Sequence, residues 1–252
     1  MRSLLPRHSA DLDLIEAYAL PSEMSAARPF VRGNMITSLD GAVTVNGRSG
    51  TLGGPADRRL FHVLRSLADV VLVGSGTVRA EHYGPPRLEE HLRQLRQARG
   101  QPPVPQMAIV TRSGNLDWST PLFTEAEQRP VVFVTKGGSE AAGPAAAEVA
   151  ELVVAGDEAV EPAQVVDHLH ARGWRSLLLE GGPTLNAGFV QAGLLDELCL
   201  TLSPRLVGGD GPRVLAGPEL PQPLRLDVVH LFEEDGFLFL RLAVRGGRTA
   251  PG

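Results

Sequence analysis

Short apolar runs of strand length alternate along this chain with segments whose apolar residues recur at helical spacing. The strand-like runs span 30–37, 69–74, 107–111, 131–135, 176–179 and 194–202, and the helix-like segments span 55–67, 141–150 and 165–170. Such alternation is typical of an α/β domain in which helices connect parallel strands. A further helix is expected to carry Leu88, Leu92 and Leu95 on one face, which packs either in the core or against a second copy of the chain.

The last part of the chain has a different pattern. Two apolar runs, 224–232 and 237–244, flank a polar turn that ends in Asp235-Gly236. An Asp-Gly pair between two strand-like runs is a strong signal for a β-hairpin. The sequence therefore predicts a mainly parallel but mixed sheet, flanked by helices and finished by a C-terminal antiparallel hairpin.

The strand at 176–179 ends in a sequence that suits an anion. It continues as Glu180-Gly181-Gly182-Pro183-Thr184-Leu185, in which Pro183 is placed to begin a helix. The free N–H groups of a first helical turn suit a phosphate or pyrophosphate, and Glu180 would face the same crevice from the strand end. An ordinary strand-to-helix turn with a solvated Glu180 fits the same residues.

A second strand, 69–74, ends in a similar way, in Gly74-Ser75-Gly76-Thr77-Val78. The glycines let a ligand approach the backbone closely, and the hydroxyls of Ser75 and Thr77 can donate to phosphate oxygens. Arg79 stands where a dinucleotide fingerprint has its third glycine, so the standard Rossmann motif is incomplete. Two such strand ends side by side predict a nucleotide groove.

A glycine-rich loop joins the first strand of the chain, 30–37, to the first helix, 55–67. It contains Ser38-Leu39-Asp40-Gly41 and Ser49-Gly50-Thr51-Leu52-Gly53-Gly54-Pro55. Loops of this length in compact domains are usually functional. We expect it either to fold over a bound cofactor or to form two ordinary turns. In the helix that follows, one of Arg58, Arg59 and Arg65 is expected to bind a phosphate.

Composition narrows the class of protein. The chain has 252 residues, of which 43% are hydrophobic, a formal net charge of −5 and a single cysteine, Cys199. This length can bury a large core, and we expect a single domain over 1–252 with a core of about 29–245 and flexible ends. The charge argues against a nucleic-acid surface, and one cysteine excludes an internal disulfide and a thiolate zinc cluster. No apolar run is long enough for a membrane span, so we expect a cytoplasmic protein.

Six segments occur in an order that is more specific than any one of them. They are Ser38-Leu39-Asp40-Gly41, Ser49-Gly50-Thr51, His62-Val63-Leu64-Arg65, Val73-Gly74-Ser75-Gly76-Thr77-Val78, Glu180-Gly181-Gly182-Pro183-Thr184-Leu185, and Asp196-Glu197-Leu198 with Ser203-Pro204-Arg205-Leu206-Val207-Gly208-Gly209. Together they resemble the reductase domain of riboflavin biosynthesis. The resemblance implies a dihydrofolate-reductase-like fold, a homodimer, and the reduction of a phosphoribosylamino-pyrimidine to its ribitylamino form by NADPH.

The resemblance also implies roles for particular residues. Ser49 and Arg65 would hold the substrate phosphate, and Glu180 would accept hydrogen bonds from ring N–H or amino groups. From the resemblance and the glycine-rich strand ends, the NADPH contacts that we expect are Ile36, Thr51, Gly74, Gly76, Thr77, Ser113, Gly181, Gly182, Pro183, Thr184 and Leu185. Arg112 is either a partner for the 2′-phosphate of NADPH or a solvated side chain.

One segment departs from the family pattern. The bifunctional bacterial members continue as Asp-x-Pro-x-Leu-x-x-Arg, whereas this chain has Glu81-His82-Tyr83-Gly84-Pro85-Pro86-Arg87-Leu88. Glu81 is expected to replace the cofactor-facing aspartate, and Arg87 is a displaced candidate for the substrate-binding arginine. The zinc deaminase half of those proteins, with its His-x-Glu and Pro-Cys-x-x-Cys motifs, has no counterpart here, so we expect a stand-alone reductase.

Reduction of such a substrate needs a hydride at C1′ and a proton at nitrogen, and the cofactor carries the harder step. We therefore expect neither a nucleophile nor a metal ion. Asp40 is expected either to relay the proton through water or to order its loop. Two alternatives remain open, a dihydrofolate or other pteridine reductase on the same fold and a NADPH-binding protein without activity.

Overall fold

The computed structural model describes residues 1–6, 12–22 and 24–245, so the predicted flexible end at 246–252 lies outside the described residues. Its strands are β1 (Arg2–Leu5), β2 (Phe30–Ser38), β3 (Val70–Gly74), β4 (Gln106–Thr111), β5 (Val131–Val134), β6 (Glu151–Val154), β7 (Ser176–Leu179), β8 (Glu197–Ser203), β9 (Leu226–Glu234) and β10 (Phe237–Val244). Its helices are α1 (Leu14–Ala17), α2 (Pro55–Leu67), α3 (Ser75–Glu81), α4 (Glu90–Ala98), α5 (Pro121–Thr124), α6 (Lys136–Val149), α7 (Pro162–Ala171) and α8 (Pro183–Gln191). Within these ranges no helix has the length and apolar character to cross a membrane.

The strands form one mixed sheet in the order β1-β9-β10-β8-β2-β7-β3-β4-β5-β6. All neighbours from β8 to β6 are parallel, and the pairs β1-β9, β9-β10 and β10-β8 are antiparallel. The strands β9 and β10 are the predicted C-terminal hairpin. The expected architecture, a mainly parallel mixed sheet that ends in an antiparallel hairpin, is confirmed.

Helices cover both faces of the parallel part of the sheet. On one face, α2 and α4 pack over the strands; on the other, α7 and α8 bury Val166 and Phe189. Leu92 of α4 and Leu88, which precedes this helix, lie in the core, and Leu95 of α4 packs against it. The apolar face of α4 therefore packs in the core of its own chain and not against a second copy of the chain.

The helix expected at 141–150 has the wrong start. The structure begins α6 at Lys136, because the hydroxyl of Thr135 caps it by accepting a hydrogen bond from the N–H of Gly138 at 3.0 Å. Gly143 has a φ of 70° and interrupts the helix. Gly143 and Pro144 therefore form a kink within a helical segment that starts earlier than the sequence pattern predicted.

The strand expected at 194–202 is shorter at its start. It begins only at Glu197, since the preceding Asp196 binds Arg28 through both carboxylate oxygens, at 2.6 and 2.7 Å, and accepts from the N–H of Val31 at 2.9 Å. These bonds fix the turn that leads into β8. They come from residues far away in the chain, which a local pattern does not reveal.

Candidate active site

The carboxyl ends of β3 and β7 are joined by their backbones. The N–H of Gly74 donates to the carbonyl of Gly181 at 2.7 Å, and the N–H of Glu180 donates to the carbonyl of Leu72 at 2.9 Å. Ligands of open parallel sheets bind in the crevice at such strand ends. The two strand ends that the sequence singled out thus form one crevice.

Glycine is required where this crevice is tightest. Gly181 has a φ of 80°, and a Cβ on Gly182 would lie 2.8 Å from Oγ1 of Thr77. The peptide bond between the two glycines is cis. A side chain at Gly182 would press against the side chain of Thr77 on α3, so glycine lets the turn before α8 lie close to α3.

Two cavities open from the crevice. The first, here called the chamber, is lined by Asn34, Met35, Ile36, Val43, Thr44, Ser49, Gly50, Gly53, Asp57, Arg58, Phe61, Thr77, Glu81, Tyr83, Glu180, Gly182 and Pro183. The second, here called the groove, is lined by Gly74, Ser75, Gly76, Thr77, Val110, Arg112, Ala159, Val160, Pro162, Gly182, Pro183, Thr184, Leu185 and Gly188. Both cavities share Thr77, Gly182 and Pro183, so a molecule that lies along the groove can reach into the chamber at this junction.

The groove has the composition of a dinucleotide site. Its glycines leave the backbone accessible, and α8 begins with Pro183 at its first position and no side chain as its N-cap, which suits a pyrophosphate. Arg112 lines the same groove. Within the described ranges, its guanidinium makes no ion pair or hydrogen bond. These residues therefore fit a phosphorylated dinucleotide.

Glu180 lies at the centre of a buried network on the chamber side. Its Oε1 accepts from Nε of Arg65 at 2.8 Å, and its Oε2 accepts from Nη2 of Arg65 and from the hydroxyl of Tyr83, both at 2.7 Å. The Arg65 guanidinium lies 4.0 Å from the ring centre of Phe61. Glu180 thus has an ionic partner and three hydrogen bonds from the protein itself.

Burial and charge act on the two partners of Glu180 in different ways. Burial raises the pKa of Tyr83 well above its ordinary value, and the nearby charge of Glu180 adds to the effect. Burial by itself lowers the pKa of Arg65, but the charge and hydrogen bonds of Glu180 outweigh it and raise that pKa. Near neutral pH the tyrosine therefore stays a neutral donor and the arginine stays charged.

The predicted substrate contacts divide into two groups. Ser49 and Glu180 line the chamber, and the N–H of Ser49 donates to Glu81 at 2.6 Å. Arg65 does not line the chamber, because its guanidinium is paired with the carboxylate of Glu180. Arg87 is not brought to the site either: its side chain is 78% exposed and pairs with Glu125.

The predicted cofactor contacts are mostly found at the two cavities. The residues that line the chamber are Ile36, Thr77, Glu81, Gly182 and Pro183, and those that line the groove are Gly74, Gly76, Thr77, Arg112, Gly182, Pro183, Thr184 and Leu185. Gly181 joins the two strand ends. Thr51 and Ser113 line neither cavity: the carbonyl of Thr51 accepts from Arg205, and the hydroxyl of Ser113 accepts from the N–H of Asn115.

Asp40 lies outside both cavities and holds a loop. Its carboxylate accepts from the N–H groups of Val207 and Gly208 and from the hydroxyl of Ser38. The bond from Ser38, with the two backbone bonds, lowers the pKa of Asp40 to about 2. Because the carboxylate lies outside both cavities and is bound to the backbone of Val207 and Gly208, its position favours the loop-ordering role over the proton relay.

Several chamber residues were not anticipated from the sequence, among them Asn34, Asp57 and Phe61. Two of them carried a usable signal. Asp57, Phe61 and Arg65 are spaced by four along α2 and so share one face of the helix. Once Arg65 is suspected, the same face predicts the other two.

The chain is similar to known proteins over most of its length. Residues 29–236 match the family model of the RibD C-terminal domain. A 2,5-diamino-6-ribosylamino-4(3H)-pyrimidinone 5′-phosphate reductase from Methanothermobacter thermautotrophicus is 33% identical over 87% of this chain and 100% of that protein. The Archaeoglobus fulgidus protein of the same name is 31% identical over 82% of this chain and 95% of that one. The crystal structure of a pyrimidine reductase-like protein from Corynebacterium diphtheriae, 27% identical, superposes with a TM-score of 0.81 and covers 92% of this chain and 98% of that chain.

Proposed function

Because this chain belongs to the RibD C-terminal domain family, we propose that it is a NADPH-dependent reductase of riboflavin biosynthesis. Its substrate would be a ribosylamino-pyrimidine phosphate of the kind that its relatives' names describe. One observation carries the proposal: the groove and the chamber meet at Thr77, Gly182 and Pro183. A cofactor in the groove can therefore present its reactive end to a substrate in the chamber.

NADPH fits the groove by shape and by charge. The pyrophosphate would lie against the glycine-rich backbone and the first turn of α8, and Arg112 would pair with the 2′-phosphate that distinguishes NADPH from NADH. When bound, NADPH supplies a hydride to C1′ of the substrate. The protein's own contribution is to hold the two reacting carbons in line and to exclude water.

The substrate phosphate needs a cation, and the three arginines of α2 differ in their availability. Arg65 is paired with Glu180, and Arg59 is paired with Glu234 at the surface. Arg58 lines the chamber, and its guanidinium makes no ion pair or hydrogen bond in the part of the chain that the structure describes. We assign the phosphate to Arg58 and Ser49, and to Arg65 the role of holding Glu180.

We also propose that the protein is a homodimer, as the resemblance implies. One face of the antiparallel strands carries a row of leucines that are only half-buried. They are Leu198, Leu200, Leu202, Leu231, Leu238 and Leu240. Their alternate neighbours, such as Cys199 and Phe239, point to the other face and are buried in the core. A contiguous apolar face of this kind marks a protein contact.

Replacing Leu200 by Glu is expected to convert the dimer to a monomer, because the charge would be buried at the centre of this leucine face. Sedimentation equilibrium of the purified variant measures the mass directly. Val154→Glu is the matched control, since Val154 is exposed on the edge strand β6 at the opposite end of the sheet. A wild-type monomer, or a dimer that survives the substitution at Leu200, would contradict the proposed interface.

The reaction is tested by following NADPH consumption with three substrates in parallel. These are the diamino ribosylamino-pyrimidinone 5′-phosphate, its deaminated 2-oxo form and dihydrofolate. We expect turnover of the ribosylamino-pyrimidine and none of dihydrofolate. Turnover of dihydrofolate alone would move the function to pteridine reduction, and tight NADPH binding without any turnover would leave a non-catalytic binding protein.

A further inference from the structure

Tyr83 lies between the chamber and a second cavity, here called the side pocket. The residues that line the side pocket are Val78, Arg79, His82, Tyr83, Leu116, Asp117, Thr120, Pro121 and Phe123. Among the described residues, Tyr83 alone lines both the chamber and the side pocket. The side pocket has a volume of about 520 Å³, against about 280 Å³ for the chamber.

We infer that Tyr83 is a partition that limits the size of the pyrimidine the chamber accepts. The inference rests on the proposed function and extends it, because it names a residue that keeps bulky aromatic substituents out of the chamber. Without the tyrosine ring, the chamber would open into the side pocket and would accept a substituent of this kind.

Three contacts hold Tyr83 in place. Its N–H donates to the carbonyl of Val78 at 3.1 Å, and its hydroxyl donates to Oε2 of Glu180 at 2.7 Å. The Arg65 guanidinium lies 5.4 Å from the centre of its ring, which is within the range of a cation–π contact. To swing aside, the side chain would have to take a donor from a buried carboxylate, which is costly. The ring is therefore a fixed wall and not a mobile gate.

This wall belongs to the segment in which the chain departs from the family pattern. Where the bifunctional members have the proline of Asp-x-Pro, this chain has Tyr83, two residues after Glu81. A proline side chain has no hydroxyl and could not donate to Glu180. The partition therefore depends on a residue that the family pattern does not supply.

The side pocket suits an aromatic group that ends in a carboxylate. Val78, Leu116 and Phe123 are buried and give the pocket an apolar floor. Arg79 is exposed at its rim, where Nη1 donates to the carbonyl of Asn115 at 3.0 Å. In the part of the chain that the structure describes, no carboxylate lies within ion-pair distance of this guanidinium.

The other ionisable side chains at the rim already have partners. The carboxylate of Asp117 accepts from the N–H and the hydroxyl of Ser119, at 3.1 and 2.6 Å. Nε2 of His82 lies 2.6 Å from Nη2 of Arg48. Arg79 is therefore the group of the side pocket with which the carboxylate of a ligand would pair.

Calorimetric titration of the protein saturated with NADP⁺ tests this inference, because the filled groove then cannot take the probes. The probes are 2,5,6-triaminopyrimidin-4-one, which is the ring in the relatives' names, and its two derivatives with a 4-carboxybenzyl group on the 5-amino or the 6-amino nitrogen. The measured quantity is the affinity of each derivative divided by that of the bare ring. For at least one derivative we expect Tyr83→Ala to raise this ratio about tenfold over the wild type, because burial of an aromatic ring contributes at least this much.

Further variants make the result specific. Tyr83→Phe keeps the ring, so it should keep the wild-type ratio. Tyr83→Leu removes the ring but keeps an apolar side chain, so it should give a smaller rise, and it carries the test if thermal unfolding shows that Tyr83→Ala does not fold. In the Tyr83→Ala background, Arg79→Ala should lower the affinity of the derivative about two- to fivefold. Arg93→Ala is the control, since Arg93 lies in a surface pair outside both cavities.

A ratio that stays at the wild-type value in Tyr83→Ala and Tyr83→Leu, for both derivatives, would overturn the inference alone. A ratio that rises as much in Tyr83→Phe would overturn it as well, because the ring would then not be the wall. If the bare ring binds neither the wild type nor the variants, the proposed function fails and this inference fails with it.

Discussion

Replacing Glu180 by Ala is expected to remove measurable turnover and to destabilise the protein by about 3–5 kcal/mol, the usual cost of breaking a buried ion pair. The reason is that Arg65 would keep its charge in a buried position, with a side chain only 9% exposed, after losing both of its hydrogen bonds to Glu180. Tyr83 would lose its acceptor at the same time.

Chemical unfolding of the wild type and the variant measures the free-energy difference. The double variant Arg65→Ala/Glu180→Ala should lose less than the sum of the two single variants, because it leaves no unpaired charge. Arg93→Ala is the control, since its pair with Glu127 is at the surface, and only a small effect is expected. A Glu180→Ala variant as stable as the wild type would contradict the description of this network.

Replacing Gly182 by Ala is expected to lower kcat/KM for NADPH by roughly a hundredfold, as small misplacements of reacting groups commonly do. The added methyl group would lie 2.8 Å from Oγ1 of Thr77. Since both residues line the junction of groove and chamber, either the side chain of Thr77 or the turn into α8 has to shift there. The effect should fall on cofactor use more than on stability.

Steady-state kinetics with varied NADPH, beside an unfolding curve, separates these two effects. Gly137→Ala is the matched control, because a Cβ at Gly137 meets no heavy atom within 4 Å and Gly137 lies at the start of α6, away from both cavities. If Gly182→Ala binds and uses NADPH like the wild type, the junction is not the place where the cofactor enters the chamber.

Most strands of the sheet, and the helices that connect them, could be predicted because local patterns of apolar residues indicate them. The run 176–179 followed by Pro183 gave both β7 and the start of α8. The elements β1 and α1 could not be found in this way. The end of α1 is held by Arg241, which donates to the carbonyl of Ala17 at 2.7 Å across 224 positions of sequence and is itself paired with the buried Glu197.

The positions proposed for the cofactor have clearer sequence signals than those proposed for the substrate. The cofactor positions depend on backbone features, on glycines and on strand ends, which the sequence shows directly. The substrate side depends on where each side chain points. Arg87 and Leu88 are neighbours, yet the leucine is buried and the arginine is exposed, and Arg65 points to Glu180 rather than into the chamber.

The most direct test of the proposed reaction follows the hydride itself. The protein is incubated with the diamino ribosylamino-pyrimidinone 5′-phosphate and NADPH that carries deuterium at its transferable C4 position, and the product is examined by mass spectrometry and NMR. Our account predicts a ribitylamino product with a single deuterium at C1′. A product without deuterium, deuterium at another carbon, or an unchanged substrate would contradict it.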